Sequence, residues 1–444
     1  MIMDPLNINN SILQPQGRNS GHAASSSREE AQAPRDSVSI SKSGKGRSGK
    51  PARSAKKPSS TSAPVPPQKK KDWTVLVYAA ADNDLEKHIV KNVADLERII
   101  SKNPDFNAVV QLDRGENPSN TGGKWPGTRR IHLCTDKTAA RIDSPALEDM
   151  GHVNMADPGV LQDFIQWGMK SFPARHYMLV VSDHGLAWKG AIQDFSHNGK
   201  EMMSISDMKD AILDAEKNAG KKLDILCFDA CDMAQAEVAY EMRETAGYLV
   251  ASQDILGKEG LPYRDIFNPK VINDKKFRKP KELAKYMVDA SSWHQKAVTT
   301  LSAVELARME DLAGASKNLA KAILNSDTPP EVFRQDARAA QSFDGFKDYY
   351  DFCDYLAQNE EINDGGVKKA AKAVISSITR AVIAEQHEED CDPAYGLTIY
   401  LPDRKDPKIG DKYKKTTFAR DTGWDQVVNI ILSGRNSQDP PQKA

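Results

Sequence analysis

The chain has 444 residues, with 39% hydrophobic and 28% charged side chains, a composition typical of soluble globular proteins rather than of membrane proteins. No run of eighteen apolar residues occurs, so no membrane span is expected, and no Sec signal peptide is recognised at the N-terminus. The net charge is only −1, which excludes a strongly basic or acidic protein overall. The sequence does not decide the compartment of the protein, which is either the cytoplasm or a location reached by an export route other than Sec.

The first 71 residues form a basic segment, with 13 Lys and Arg against 4 Asp and Glu. The segment is rich in Ser, Pro, Gly and Ala, so it cannot bury enough apolar surface to offset the entropy lost on ordering. We predict a disordered basic tail at 1–71 that serves as a solvated leader or pro-segment. A tail that binds polyanions is the alternative.

A glycine-rich stretch inside this tail, Gly44–Lys50, matches G-x-G-x-x-G and comes close to a phosphate-binding loop. Such loops bind phosphate only between a strand and a helix. No apolar strand precedes this stretch, and Pro51 stands where Ser or Thr would bind magnesium. Nucleotide binding is therefore not predicted.

From Asp72 onwards, apolar runs alternate with amphipathic stretches. In chain order the patterns predict a strand at 74–81, a helix from the capping residues 82–84 to about residue 100, strands at 108–112 and 129–133, a helix at 157–171, a strand at 176–182, a helix at 204–219, a strand at 223–229, a helix at 233–245 and a strand at 248–252. The piece at 129–133 is predicted as an antiparallel hairpin or edge strand. The alternation indicates an α/β fold, a three-layer and mostly parallel sheet with helices on both faces.

Beyond Gly260 the patterns are weaker. They predict helices at 281–295, 305–325 and 366–386, and strands at 298–303 and 395–400. We divide the folded part into a main domain at 72–260 and a C-terminal α+β part at 261–432 that completes or extends it. A frayed tail is predicted at 433–444.

The cysteines do not suggest a disulfide framework. There are 5 of them, Cys134, Cys227, Cys231, Cys353 and Cys391, and none forms a C-x-x-C pair, so neither zinc nor a redox dithiol is predicted. Most free cysteines in such chains are small buried hydrophobic residues. Cys231 is the exception that calls for a chemical explanation.

Reactive side chains follow two of the predicted strands, because one strand runs into His184 and another into Cys231. The carboxyl ends of parallel strands meet at one edge of a sheet, so we expect these groups to share that edge. A thiol needs a base or an electropositive setting to become the attacking thiolate, and an imidazole is a suitable base. Cys231 is also predicted just ahead of a helix N-terminus, whose partial positive charge favours the thiolate.

The order and spacing of these residues strengthen the prediction. His184 precedes Cys231 by 47 residues, close to the spacing of about 50 in caspases. Gly185 has no side chain, so its N–H can approach a substrate carbonyl and form an oxyanion hole with the Cys231 N–H. Singly, each residue is an ordinary packing or turn residue; together they predict a Cys/His dyad. No third group that orients His184 can be identified from the sequence.

Several segments resemble the blocks of the clostripain family of peptidases, in the caspase-like clan: Asp72–Leu85, Val181–Gly185, Phe228–Ala234, Leu249–Asp254 and Tyr349–Cys353. The similar region runs from about residue 72 to 402. The resemblance implies a caspase-like sheet, a dyad of His184 and Cys231 that acts through a covalent acyl-enzyme, and cleavage of proteins or peptides after Arg or Lys. We expect no nucleic-acid partner for the folded part and no cofactor for the chemistry.

A preference for basic residues also has a physical explanation. Asp229 lies two residues before Cys231, so on an extended strand its carboxylate points the same way as the thiol and can pair with Arg or Lys. In the clostripain pattern the matching aspartate lines the pocket for the residue before the cleaved bond, called S1. Capping of the next helix is the alternative role. Asp254, at the end of the following strand, is a second S1 candidate.

Two further features are implied by the resemblance. One is self-cleavage at a basic residue between the dyad elements, with Lys200 as the first candidate and Lys189 as the second. The other is calcium as an activator. The stretch 82–84 offers oxygen ligands, but its spacing is not that of an EF-hand and helix capping is the favoured role, so no metal site is assigned.

Two other classes of protein remain as alternatives. A catalytically silent caspase-like binding protein would keep the sheet without the chemistry, but His184, Gly185 and Cys231 occur together here. A nucleotide-handling α/β protein would need a phosphate loop after the first strand, and the sequence has none there.

Overall fold

The computed structural model describes residues 70–433, with gaps at 102, 136, 138–140, 198–201, 270–272, 295–296 and 403–406. The predicted basic tail lies outside the described residues except for its last two, and the glycine-rich stretch Gly44–Lys50 lies wholly outside them. Lys200, the candidate for self-cleavage, lies in the gap at 198–201. Residues 434–444 lie beyond the last described residue.

The strands are β1 (Lys71–Ala81), β2 (Phe106–Arg114), β3 (Thr128–His132), β4 (Ala146–Gly151), β5 (Ala174–Ser182), β6 (Ala191–Gln193), β7 (Met202–Met203), β8 (Leu223–Asp229), β9 (Ala246–Ala251), β10 (Thr300–Glu305), β11 (Ser342–Phe343), β12 (Phe346–Asp348), β13 (Val382–His387) and β14 (Thr398–Ile399). Nine of them form one sheet in the order β13-β10-β9-β8-β5-β1-β2-β3-β4. The five central strands, from β9 to β2, are parallel, and the pairs at each edge are antiparallel. The predicted mostly parallel sheet is therefore confirmed.

The helices are α1 (Glu86–Ile100), α2 (Pro158–Ser171), α3 (Ile205–Ala219), α4 (Ala236–Glu241), α5 (Tyr263–Ile266), α6 (Pro280–Ser291), α7 (Met309–Leu324), α8 (Pro330–Ala339), α9 (Tyr349–Gln358), α10 (Gly365–Ala381), α11 (Pro407–Tyr413), α12 (Thr417–Thr422) and α13 (Trp424–Ser433). Among the described residues, no helix is both long enough and apolar enough to cross a bilayer.

Helices cover both faces of the sheet, because successive side chains of the central strands point to opposite sides. Along β1, Leu76 and Tyr78 pack into the core under α2 and α3. Val75 and Val77 pack into the core under α1 and α6. Runs of apolar residues without polar interruptions fit strands that are buried on both faces.

The order of the strands reverses direction at β1. The chain passes from β1 to β2 on one side and later returns to β5 on the other side of β1. The carboxyl ends of β1 and β5 therefore border a crevice at a topological switch point, where open α/β sheets bind ligands.

The second half of the chain contributes to the same sheet. β10 pairs with β9, and β13 pairs with β10, so both strands extend the sheet at one edge. A small separate sheet has the order β11-β12-β14. The helix predicted at 366–386 ends at Ala381, because residues 382–387 pair with β10 instead.

Another predicted helix is shorter than expected. The pattern at 233–245 predicts a helix, but α4 spans only Ala236–Glu241. Residues just before it bond to other segments: the Ala234 N–H donates to the Ser252 carbonyl at 2.7 Å, and the Thr398 N–H donates to the Ala234 carbonyl at 2.9 Å. These bonds hold the backbone of Ala234 outside the helix.

Candidate active site

Four loops at the carboxyl edge of the sheet surround one cavity of about 200 Å³. Its wall includes the predicted site residues Cys231, His184 and Asp229, together with Asp84 from the loop after β1. The register explains this proximity, because Ser182 of β5 pairs with Asp229 of β8 and each strand then continues for two residues to a reactive group. A larger hollow of about 780 Å³ at the amino-terminal ends of β8 and β9 contains none of the predicted residues.

The Cys231 thiol is half-buried and hydrogen-bonds the Leu256 carbonyl across 3.8 Å. Burial raises the pKa of this thiol to about 11, and the nearby carboxylates of Asp232, Asp229 and Asp254 add to the effect, while the Leu256 bond opposes it. The thiol is therefore protonated near neutral pH and needs a base. All five cysteines are free.

The predicted help from a helix N-terminus is wrong. α4 begins at Ala236, five residues beyond Cys231, and Gln235 is its N-cap. Between them Asp232 takes a left-handed conformation with φ of 61°, which turns the chain away from a helical path. The partial charge of a helix end is felt only within about one turn, so this helix does not activate the thiol.

The His184 imidazole forms a hydrogen bond with Asp84. From the sequence, Asp84 was considered only as a helix cap or a calcium ligand. Nε2 of His184 lies 2.9 Å from Oδ1 of Asp84, and the side chains of His184 and Asp84 are 28% and 57% exposed. The bond to His184 is the main reason that the pKa of Asp84 is lowered. His184 and Cys231 line one cavity without a hydrogen bond between them, an arrangement that is common before substrate binds.

Residues 82–84 were predicted to cap α1, but none of them is its N-cap residue. The N-cap of α1 is Leu85, which makes no side-chain cap bond, and Asn83 Oδ1 accepts from the Leu85 N–H at 2.9 Å. Asp84 thus faces His184 rather than the helix. The sequence signal was limited to an acidic residue just after a strand at this edge, which does not identify its partner.

Gly185 packs directly against the backbone of Cys231. A Cβ atom at this glycine would overlap the Cys231 carbonyl oxygen and would lie 3.0 Å from Met233 Sδ. Gly185 also pairs with Ala191 in an isolated bridge, whose two hydrogen bonds use the N–H groups of Leu186 and Ile192. The Gly185 N–H is not used in that bridge.

Asp229 is a buried carboxylate on the cavity wall. It accepts hydrogen bonds from the Leu261 N–H at 2.8 Å, the Tyr263 hydroxyl at 3.0 Å and the Ser182 hydroxyl at 3.0 Å. Burial nevertheless raises its pKa to about 6, since these three donors only partly offset the loss of water. The carboxylate thus also holds the loop that closes one side of the cavity.

Asp254, the second S1 candidate, lies outside the lining of this cavity. Its carboxylate accepts from Thr299 at 3.4 Å, and its carbonyl accepts from the Asp232 N–H at 3.2 Å. Its charge contributes to the raised pKa of Cys231. Asp254 as an S1 residue stays a prediction.

Three carboxylates near this edge could hold a cation. Asp82, Asp113 and Asp194 present oxygens within 4.8 Å of one another. Carboxylate oxygens are the ligands that calcium prefers. Asp113 also accepts from Thr128, and Asp194 accepts from the Met155 N–H, so both already have protein partners. Calcium as an activator stays a prediction.

The parallel sheet and the cavity that contains a thiol and an imidazole at its carboxyl edge define a class, the caspase-like cysteine peptidases. The chain belongs to the clostripain family, whose model matches residues 77–430. It is therefore a cysteine peptidase, and the resemblance recognised in the sequence is confirmed.

Individual relatives agree with this assignment. The chain is 22% identical to clostripain of Hathewaya histolytica, over an alignment that covers 82% of this chain and 81% of that protein. The secreted C11 cysteine protease "iotapain" of Bacteroides thetaiotaomicron superposes with a TM-score of 0.61 at 17% identity, over 80% of this chain and 100% of that one. An inactive zymogen C11 protease of Parabacteroides distasonis superposes with a TM-score of 0.60 at 22% identity, over 80% and 99%. These superpositions confirm the expected fold.

Proposed function

We propose that this peptidase cleaves peptide bonds after Arg or Lys, with Cys231 as nucleophile and His184 as general base. The observation that supports this is that Cys231, His184 and Asp229 line one cavity at the switch point of the sheet. The high pKa of the thiol makes a nearby base necessary, and His184 is the imidazole on the same wall.

In this mechanism the imidazole takes the thiol proton while Sγ attacks the scissile carbonyl carbon. The oxyanion of the tetrahedral intermediate accepts hydrogen bonds from the Gly185 and Cys231 N–H groups. When the C–N bond breaks, the imidazolium protonates the leaving amine and a thioester remains. His184 then deprotonates a water molecule that attacks the thioester, which releases the acid and restores the thiol.

The shape and charge of the cavity favour a basic side chain before the cleaved bond. Leu85, Ile89 and Leu256 offer an apolar wall for the methylene stem, and Asp229 offers a carboxylate for the cationic end. Its three internal hydrogen bonds fix the carboxylate in place before substrate arrives. Preorganised charge of this kind is more effective than charge that must be reoriented.

The decisive experiment compares wild type, Cys231→Ala and His184→Ala on fluorogenic peptides that end in Arg or Lys. Both variants should lose turnover by about 10²–10⁴-fold or more, since a positioned base alone contributes this much. Cys134→Ala is the matched control, because Cys134 is exposed and lies outside the cavity lining, and it should keep full activity. Wild-type turnover in Cys231→Ala would refute the proposal.

Self-cleavage at Lys200 remains part of the proposal, on the resemblance to the family alone. Intact-mass analysis of wild type beside Cys231→Ala tests it directly. A clip after Lys200 in the wild type and an intact variant are expected, and two intact chains would contradict it.

A further inference from the structure

We propose that Asp84 is a third, positioning member of the catalytic centre, which holds the His184 ring so that Nδ1 is the nitrogen that receives the Cys231 proton. This inference rests on the proposed function. Neither Asp84 nor any other group was identified as a partner of His184 from the sequence.

The contact between Asp84 and His184 defines which nitrogen of the imidazole carries the proton. Asp84 Oδ1 lies 2.9 Å from His184 Nε2. An ionised carboxylate can only accept hydrogen bonds, so Nε2 must be the protonated nitrogen. In a neutral imidazole the other nitrogen, Nδ1, then has the free lone pair and is the general base.

A second link beside the first holds the two loops together. The Asn83 amide donates to Asp183 Oδ1 at 2.6 Å and to the Ala80 carbonyl at 3.0 Å. Asp183 is 2% exposed and also accepts from the Gln193 N–H at 2.5 Å. Two consecutive residues of one loop therefore bond two consecutive residues of the other, Asn83 to Asp183 and Asp84 to His184.

The topology explains why these loops meet. β1 and β5 are adjacent parallel strands with Ala79 paired to Ser182, so both chains leave the sheet at the same edge. Asn83 Oδ1 also accepts from the Leu85 N–H at 2.9 Å, which shapes the turn between β1 and α1. Asp84 is thereby placed by a turn with its own hydrogen bonds rather than by a free loop.

The surroundings of the His184 ring indicate that Asp84 mainly orients the ring and stabilises its positive charge only weakly. Its side chain is 57% exposed, so water weakens its attraction to an imidazolium. Lys258, on the loop after β9, also acts on the Asp84 carboxylate. Asp183 precedes His184, Asp229 faces the cavity from the last position of β8, and Cys231 faces it from the loop that follows. Among these groups, Asp84 is the one that forms a hydrogen bond with the imidazole.

The test uses Asp84→Ala and Asp84→Glu in the full chain, with an Arg peptide substrate. Asp84→Ala should lower kcat by about 10–100-fold with little change in KM, as removal of a group that orients a catalytic side chain does. Asp84→Glu should recover part of the loss, since the position is exposed enough to accept a longer carboxylate. Added formate should restore kcat of Asp84→Ala in a saturable manner and leave the wild type unchanged.

Two controls separate the possible outcomes. Asp210→Asn removes another exposed carboxylate, 67% exposed on α3 and outside the cavity lining, and should have no effect on kcat. Asn83→Ala should mimic part of the Asp84→Ala loss without formate rescue. If Asp84→Ala keeps the wild-type kcat while Cys231→Ala is inactive, the positioning role is wrong and the proposed function stands. If Cys231→Ala is fully active, both fail.

Discussion

Gly185 and Cys231 are in contact through their backbones, so closely that any side chain on Gly185 would overlap the Cys231 carbonyl oxygen. The glycine was predicted because its N–H could approach substrate. The structure adds that its α-carbon must also pack against the loop of the nucleophile. Two requirements therefore meet in one residue.

Gly185→Ala should consequently damage the site through the backbone. The new Cβ would also lie 3.1 Å from the Ala230 Cβ, so the two loops must separate. We expect kcat/KM to fall by about 10²–10³-fold, the loss seen when one oxyanion donor is removed. Overpacking should cost about 1–3 kcal/mol of stability. Peptide hydrolysis and denaturant unfolding measure the two effects.

The matched control is Gly314→Ala on the exposed side of α7. Apart from its chain neighbours and the backbone of its own helix, no atom lies within 4 Å of a Cβ at this position. Activity should not change, and stability should rise by about 0.5–1 kcal/mol, since alanine favours a helix more than glycine does. Unchanged kcat/KM in Gly185→Ala would show that the close contact is not needed for catalysis.

Selectivity should depend on pH through Asp229. Its raised pKa of about 6 means that the carboxylate is charged above this pH and neutral below it. The ratio of kcat/KM for an Arg peptide to that for the neutral citrulline peptide should therefore fall as the pH drops through about 6. Any effect of pH on the chemical step is shared by both substrates and therefore cancels in the ratio.

Asp229→Asn should make this ratio low and independent of pH. A charge-assisted hydrogen bond contributes about 1.5–3 kcal/mol, so the loss in the ratio should be about 10–100-fold. Asp254→Ala tests the second candidate, which lies outside the cavity lining, and a wild-type ratio in this variant would exclude an S1 role for Asp254. A wild-type ratio in Asp229→Asn would reject its S1 role without affecting the dyad.

Gln253 should be critical for stability because it joins the two halves of the chain. The buried side chain donates to Asp348 Oδ2 at 2.9 Å and accepts from the Gly396 N–H at 2.7 Å. Gln253→Ala leaves a buried N–H and a buried carboxylate without this partner, at about 1–3 kcal/mol each. Denaturant unfolding should show a loss of roughly 2–4 kcal/mol, because the Asp348 carboxylate keeps its hydrogen bonds from the Asp351 and Tyr395 N–H groups and its share is small.

Gln358→Ala is the control, on an exposed position at the end of α9. A surface change of this kind should stay within about 0.5 kcal/mol of the wild type. Equal stability of the two variants would contradict a stabilising role for the Gln253 hydrogen bonds.

Much of the central sheet was predictable, because strands buried on both faces need continuous apolar runs. The runs at 74–81, 176–182 and 223–229 match β1, β5 and β8 closely. The errors lie where long-range pairing overrides local propensity. The segments at 233–235 and 382–387 favour a helix by composition, but their backbones bond to β14, to the loop after β9 and to β10.

The sequence by itself determined that a thiol and an imidazole leave parallel strands at one edge, because apolar patterning reports where each strand stops. Only the tertiary structure decided what surrounds them. Asp84 and His184 are 100 residues apart and meet because β1 and β5 are neighbours, which no local pattern encodes. The distance from Cys231 to the next helix was likewise decided by backbone bonds to distant strands.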